Sequence, residues 1–265
     1  MLTFLKLGGS AITDKTLPAM AREEVIRQIA REIRQARDDK GPETKLLLGH
    51  GSGSFGHFTA QATGFGQAGN WTSYAETGAA AARLNRLVTD ILLAEGVPAV
   101  TMQPSASARC KEGELVDLAV DPIRTALENN LVPLVYGDVA FDDTRGMTIV
   151  STEMIFSFVA SFLKPSRIVL VALVDGVFTS DPLQDLSARV IPEITPANLG
   201  AIVSQLRGSH GYDVTGGMIA KVKDMIALVS RIPSVKVCLT SGMREGLVYR
   251  ALTEEGFDQG TVIHA

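Results

Sequence analysis

The sequence predicts an α/β protein, a three-layer sandwich whose central sheet is mainly parallel. Two patterns predict it: apolar runs of strand length alternate with helix-length patterned segments, and glycine clusters directly follow several of the runs. Such alternation puts helices on both faces of the sheet, since each parallel connection must cross over one face. With 265 residues, 46% of them hydrophobic, the chain can bury a large core as one elaborate unit or as two closely joined lobes.

Strand runs fall at 3–7, 45–48, 98–101, 131–136, 167–173 and 235–239. A helix is predicted over 21–38, where Ile26, Ile29, Ile33 and Ala36 share one face and Arg22, Glu23, Arg34 and Arg37 the other. A second covers 73–95, striped by Leu84, Leu87, Val88, Ile91 and Leu92 and stopped by Gly96 ahead of Pro98. Its earlier half carries the small run Ala79 to Ala82, which either leaves room for a ligand or allows close helix packing. A third helix starts near Thr215 and carries Met218, Val222, Met225, Ile226 and Val229. Residues 106–117, turning at Lys111-Glu112-Gly113-Glu114, predict a hairpin near the sheet edge. Lys164-Pro165-Ser166 interrupts two apolar stretches and sets the expected boundary between an N-terminal lobe, 1–164, and a C-terminal lobe, 165–265.

Composition removes several function classes. A net charge of −4 without a Lys/Arg block speaks against nucleic-acid binding, which relies on clustered positive charge. Cys110 and Cys238 form neither a disulfide framework nor a metal pattern, which fits a reducing cytoplasm. No apolar run reaches the length of a membrane span, and residues 1–7 lead straight into Gly8-Gly9 without a signal-peptide core.

The chemistry is expected at the strand ends. In Lys6-Leu7-Gly8-Gly9-Ser10, followed by Lys15, glycine lets the backbone approach an oxyanion and Lys6 supplies charge. Taken alone, a strand ending in two glycines reads more readily as a tight turn, and the segment has neither the Walker A nor the dinucleotide spacing. The segment Gly49-His50-Gly51-Ser52-Gly53-Ser54-Phe55-Gly56-His57 forms a second oxyanion cradle, with His57 as a phosphate contact and His50 reading equally as a packed residue. Tyr136-Gly137-Asp138-Val139 precedes Ser151-Thr152-Glu153; a carboxylate at a strand end either repels substrate or holds lysines, and Ser151 or Thr152 can equally cap a helix with Glu153 in its first turn. Further on, Asp175 and Asp181 lie in a polar loop after a strand, and Gly216-Gly217 opens a helix that carries Lys221 one turn inside, a natural nucleotide-phosphate site.

Taken together and in this order, these motifs resemble the amino-acid-kinase superfamily over essentially the whole chain. Gly53-Ser54-Phe55-Gly56-His57 and Tyr136-Gly137-Asp138-Val139 look most like the isopentenyl phosphate kinase family, with the fosfomycin kinases as nearest relatives. The resemblance implies an amino-acid-kinase-like fold and transfer of the γ-phosphoryl group of ATP to isopentenyl phosphate, giving isopentenyl diphosphate for isoprenoid biosynthesis. Its rivals are a fosfomycin-type phosphonate kinase and a non-catalytic nucleotide or oxyanion binder of the same fold. The resemblance further implies an N-terminal lobe for the acceptor, a C-terminal lobe for ATP, and a homodimer.

Within this reading Lys6 and Lys221 meet the transferring phosphoryl group and the leaving ADP, and Lys15 the ATP phosphates. Gly8, Gly9, Gly51, Ser52 and Gly56 donate backbone amides. Ser10, Asp175, Asp181, Gly216 and Gly217 complete the nucleotide site; Gly137, Asp138 and His57, with Gly51, Ser52 and Gly56, form the acceptor site; and Asp138 and Glu153 hold the lysines. No residues are assigned to a metal, because Mg²⁺ usually rests on nucleotide phosphates and water. Two departures stand out. Members of the family usually read His-Gly-Gly-Gly-Ser-Phe-Gly-His, where this chain has Ser52 for one glycine. They also tend to carry Ser-Gly-Asp-Asp ahead of the next helix, where this chain has Ser151-Thr152-Glu153-Met154, so that Glu153 takes the place of the aspartate that arranges the lysines.

Overall fold

A computed structural model describes residues 1–41, 43–182, 184–208 and 217–265, the side chains of 205–208 and 217 excepted. β1 (Leu2–Leu7) leads through the single turn α1 (Gly9–Ile12) and α2 (Glu23–Lys40) to β2 (Lys45–His50). α3 (Gly53–Thr63) and α4 (Trp71–Ala94) precede β3 (Ala99–Thr101), a hairpin of β4 (Arg109–Lys111) and β5 (Glu114–Asp117), and α5 (Asp121–Glu128). β6 (Val132–Tyr136) runs into a second hairpin, β7 (Asp138–Asp142) and β8 (Gly146–Val150), then α6 (Thr152–Leu163) and β9 (Arg167–Ala172). The remainder comprises β10 (Glu193–Ile194), α7 (Leu199–Gly208), α8 (Gly217–Arg231), β11 (Lys236–Ser241), α9 (Leu247–Thr253) and β12 (Thr261–Ile263).

The main sheet has the order β10-β12-β11-β9-β1-β2-β6-β3, with every neighbouring pair parallel apart from β11 and β12. A smaller sheet, β5-β4-β7-β8, stands beside it. β1 is central because its residues are buried on both faces, and the alternation of a strand sends them to two cores. Leu5 and Leu7 join Leu46, Leu48 and the apolar stripes of α2, α4 and α9. Phe4 joins Leu47, Leu170 and the buried faces of α6 and α8, and its ring lies 5.1 Å from that of Phe156. Lys6 has the parity of Phe4, so it points toward α6. The sheet is continuous across residue 164, where Lys164 turns α6 toward β9 at φ 47°.

Every strand and helix expected from the sequence is present, its described ends within three residues of those expected. The third helix begins at Gly217, and its expected start at Thr215 lies outside the described residues. Two elements depart from the sequence reading. The glycine-rich segment is not a loop as far as His57: Gly53, at φ 53°, turns the chain and α3 starts there. Residues 138–150 form a hairpin that completes the smaller sheet.

Distant helices are tied by a carboxylate. Glu32, buried on α2, accepts from the amides of Gly246 (3.0 Å) and Tyr249 (3.0 Å) at the start of α9 and is held by the Gln28 side chain (3.0 Å). Helix-start amides have no intrahelical partner, so Glu32 caps α9 from outside. Glu32→Ala is expected to cost about 1–3 kcal/mol by stranding these donors, read as a lower urea midpoint with an unchanged slope, and Glu32→Gln less.

Candidate active site

β1, β2 and β9 end side by side, with Leu7 paired to His50 and to Val171. The glycine segments that leave β1 and β2 therefore meet. A Cβ on Gly9 would lie 2.8 Å from both Cα and N of Gly53, and one on Gly8 would lie 2.5 Å from the Val171 carbonyl oxygen. No other residue fits this backbone-to-backbone approach.

The hydrogen bonds in this region correct one expectation. The amides of Gly8, Gly51 and Gly56 already donate to the carbonyls of Val171 (2.7 Å), Leu7 (3.1 Å) and Ser52 (3.2 Å). They extend the strand ladder or close the first turn of α3, so these glycines serve by close approach and not by donating to a ligand. Among the described residues, the amides of Gly9, Ser10, Ser52 and Gly53 make no hydrogen bond. These belong to the first turns of α1 and α3, where unpaired amides favour an anion. Ser52 also fills the space beside Gly56, its Oγ 2.5 Å from where a Cβ there would stand.

Charge is concentrated near the end of β1. Lys6 and Glu153 are each 5% exposed and form a direct ion pair between β1 and the first turn of α6. Ser151 caps that helix, accepting from the Met154 amide at 3.1 Å, so the capping role and the lysine-holding role coexist in one turn. Burial pulls the Lys6 ammonium below its usual range; Glu153 opposes this, and the nearby charges of Lys221 and Lys15 add to it. Burial alone would raise the Glu153 carboxyl, but the charges of Lys6 and Lys221 outweigh it and hold the group below the ordinary range. Three ammonium groups from β1, the segment after α1, and α8 thus share one field. Lys15 is exposed and Lys221 half-buried.

Asp138 is buried at the start of β7, and its carboxylate accepts from the amides of Ser105 (3.1 Å) and Val139 (2.9 Å). It anchors the 104–106 turn, whereas the carboxylate on Lys6 is that of Glu153. Burial raises the Asp138 carboxyl above its usual value, against the pull of these hydrogen bonds. Gly137 lies against Ser52: a Cβ there would be 3.5 Å from the Ser52 amide nitrogen. His57 is exposed on the second turn of α3, with the Phe58 ring edge-on at 6.5 Å.

His50 is a packed residue. Fully buried and stacked 5.6 Å from Tyr136, it donates from Nδ1 to the Gly51 carbonyl (3.0 Å) and accepts at Nε2 from the Asn85 amide (3.1 Å). Burial pushes its pKa down to about 4, so the ring is neutral. Asp175 pairs with Arg244 at 3.4 Å and, with Thr240 and Asp258, lines a cleft of about 300 Å³. The Asp181 carbonyl closes the turn to Gln184 and Asp185. Ser10 is half-buried in α1. Gly217 opens α8, and Gly216 lies outside the described residues. Among the described residues no group of three or more histidine, cysteine or acidic side chains is placed to hold a metal ion.

The structure also adds Thr13 and Asn85, and it gives contacts of their own to Ser54 and Tyr136, which the sequence offered only as members of motifs. Hydroxyls and amides beside glycine read as ordinary turn chemistry, and their partners lie far off in the chain.

A family model matches the chain that builds this sheet and these two glycine-rich helix starts. The chain belongs to the amino acid kinase family, whose model covers residues 1–239. Within that family it is 34% identical to the isopentenyl phosphate kinase of Methanothermobacter thermautotrophicus and 33% identical to that of Methanocaldococcus jannaschii, each over 96% of both chains. A solved isopentenyl phosphate kinase superposes with a TM-score of 0.84 at 31% identity, covering 99% of this chain and all of the other.

Proposed function

We propose that this protein is an isopentenyl phosphate kinase, moving the γ-phosphoryl group of ATP onto isopentenyl phosphate to give isopentenyl diphosphate, an isoprenoid precursor. The observation that carries the reading is Lys6, held by Glu153 in the field of Lys15 and Lys221, near the end of the strand that leads into the α1 start, where, as at the α3 start, amides are unpaired. Transfer between two phosphates demands in-line placement and neutralisation of charge, with little covalent work from the protein.

In this reading the α1 start and Lys15 hold the ATP phosphates, Lys6 and Lys221 meet the transferring group, and Ser52, Gly53 and His57 take the acceptor phosphate. The C-terminal part of the chain, with Asp175, Asp181 and the Gly216-Gly217 turn, receives the rest of the nucleotide, and the part before residue 165 receives the acceptor. The described residues offer no cluster to hold a metal, so Mg²⁺ would be carried by the nucleotide phosphates, where it would spread negative charge. The enzyme works in the cytoplasm as a homodimer, a placement that follows the family resemblance; no helix among the described residues is long and apolar enough to cross a membrane.

The acceptor tail meets the outer half of α4 and the β7–β8 hairpin. Gly78 abuts Val139 and Asp138, and Tyr74, one turn earlier, stacks on Phe141 at 4.6 Å. Within the alanine run Ala80 and Ala81 are buried, whereas Ala79 is exposed and Ala82 half-buried.

An ADP-release assay tests the function. Isopentenyl phosphate is expected to support turnover, geranyl phosphate to be used more slowly, and fosfomycin to give at most background. Preference for fosfomycin would move the protein to the phosphonate kinases. Nucleotide binding without acceptor-dependent ADP formation would make it a binder.

A further inference from the structure

We propose that Thr13 is a positioning residue for phosphoryl transfer, setting the separation between the nucleotide cradle and the acceptor cradle. The proposal rests on the kinase reading above. Thr13 ends α1 and is buried. Its hydroxyl donates to the Gly9 carbonyl at 2.6 Å and accepts from the Ser54 amide at 2.9 Å. One oxygen therefore bonds the nucleotide-side turn and the first turn of α3 at once.

The surroundings leave that oxygen little freedom. Gly9 and Gly53 touch backbone to backbone, and a Cβ on Gly53 would stand 2.3 Å from Thr13 Oγ1. The staple continues to a third part of the site. The Ser54 hydroxyl accepts from the Met20 amide at 3.2 Å. The Met20 carbonyl accepts from Asp14 at 2.9 Å, and Arg22 donates to Ile12 at 2.8 Å, closing the base of the excursion that carries Lys15. Through Thr13 and Ser54, the α1 start, the α3 start and the Lys15 segment form one hydrogen-bonded unit.

The chemistry gives this unit a purpose beyond stability. Ser54 N–H is one of the amides at the start of α3 that has no intrahelical partner. By accepting it, Thr13 leaves the Ser52 and Gly53 amides as the donors aimed at an anion and fixes them relative to Gly9 and Ser10. In-line transfer is sensitive to this spacing, since a misplacement of about 1 Å can cost about 10²-fold in rate. Loss of the staple lets the two cradles drift while each still holds its own phosphate.

The test measures kcat, both KM values and thermal midpoints for wild type, Thr13→Val and Thr13→Ser with ATP and isopentenyl phosphate. Thr13→Val keeps the shape and removes the hydroxyl; it is expected to lower kcat about 10- to 100-fold while both KM values move less than about 3-fold. Thr13→Ser keeps both hydrogen bonds and is expected to return kcat to near the wild-type value. Should the valine variant fail to fold, Thr13→Ala, which adds no methyl group toward Gly53, gives the same readout. A Thr13→Val kcat near wild type, a loss confined to one KM, or a serine variant as slow as valine overturns the proposal and leaves the kinase reading standing. A wild type inactive on isopentenyl phosphate overturns both.

Discussion

Replacing Lys6 by methionine is expected to lower kcat for isopentenyl phosphate phosphorylation by about 10²- to 10³-fold, the loss typical when a buried donor aimed at transition-state charge is removed. The same substitution strands Glu153, and breaking a buried ion pair by removing one partner costs about 3–5 kcal/mol. A lower rate alone therefore cannot separate chemistry from folding. The pH dependence of stability and a double variant can. In the wild type Glu153 is held below the ordinary glutamate value of 4.5, so it contributes stability above that pH, lost as pH falls through the lower folded value. Without Lys6, burial dominates and raises the carboxyl, so the folded state binds the extra proton and stability falls as pH rises. The variant's denaturation profile is thus expected to slope opposite to that of the wild type. Lys6→Met combined with Glu153→Gln removes the stranded charge. It is expected to recover most of the stability and none of the rate, measured by urea midpoints and ADP release. Recovery of activity in the double variant would show that Lys6 matters only as the partner of Glu153.

His57→Ala is expected to lower kcat/KM for the acceptor by about 10²-fold, the lower end for loss of a positioned donor that meets reacting charge, with the KM for ATP unchanged. His57 is exposed, on the second turn of α3 and beyond the unpaired amides of Ser52 and Gly53, so its removal leaves no buried group stranded. The fold is expected to keep its thermal midpoint. An acceptor phosphate oxygen is already anionic near neutral pH, so the ring is needed as a donor and not as an obligatory base. His57→Gln, which keeps a donor, is expected to recover part of the loss. An unchanged kcat/KM in His57→Ala would remove the residue from the site. His50 behaves differently: its two ring nitrogens are committed to Gly51 and Asn85, and its substitution is expected to act through the loop it supports.

What the sequence made legible follows from range. β1, β2, β6, β9 and β11 are short apolar runs with turn residues beside them, and α2 carries a clean helical stripe; such signals are local. α3 was obscured because its first turn contains two glycines, whose poor helix propensity masks the role of Gly53 as a turning point. The β7–β8 hairpin was obscured because Asp138 and Asp142 lie inside it. Asp142 is kept there by the amides of Gly113 (2.6 Å), Thr144 (2.9 Å) and Arg145 (2.8 Å). The glycine motifs pointed to the right strand ends, but which amides remain unpaired depends on the ladder formed with β9 and β2. The Lys6–Glu153 pair joins residues far apart in sequence, and only family resemblance connected them beforehand. The Thr13–Ser54 contact, 41 residues apart, has no signature at all, since a threonine after a helical turn is ordinary.

The most direct measurement is a crystal structure with a non-hydrolysable ATP analogue and isopentenyl phosphate bound together. The acceptor phosphate should rest on the Ser52 and Gly53 amides with one oxygen about 3–3.5 Å from the γ-phosphorus and in line with its leaving oxygen. Lys6 should contact the γ-phosphate while keeping Glu153. An acceptor bound away from the α3 start, or a triphosphate lying beyond reach of Lys6 and Lys221, would contradict the arrangement of two facing anion cradles over one buried ammonium.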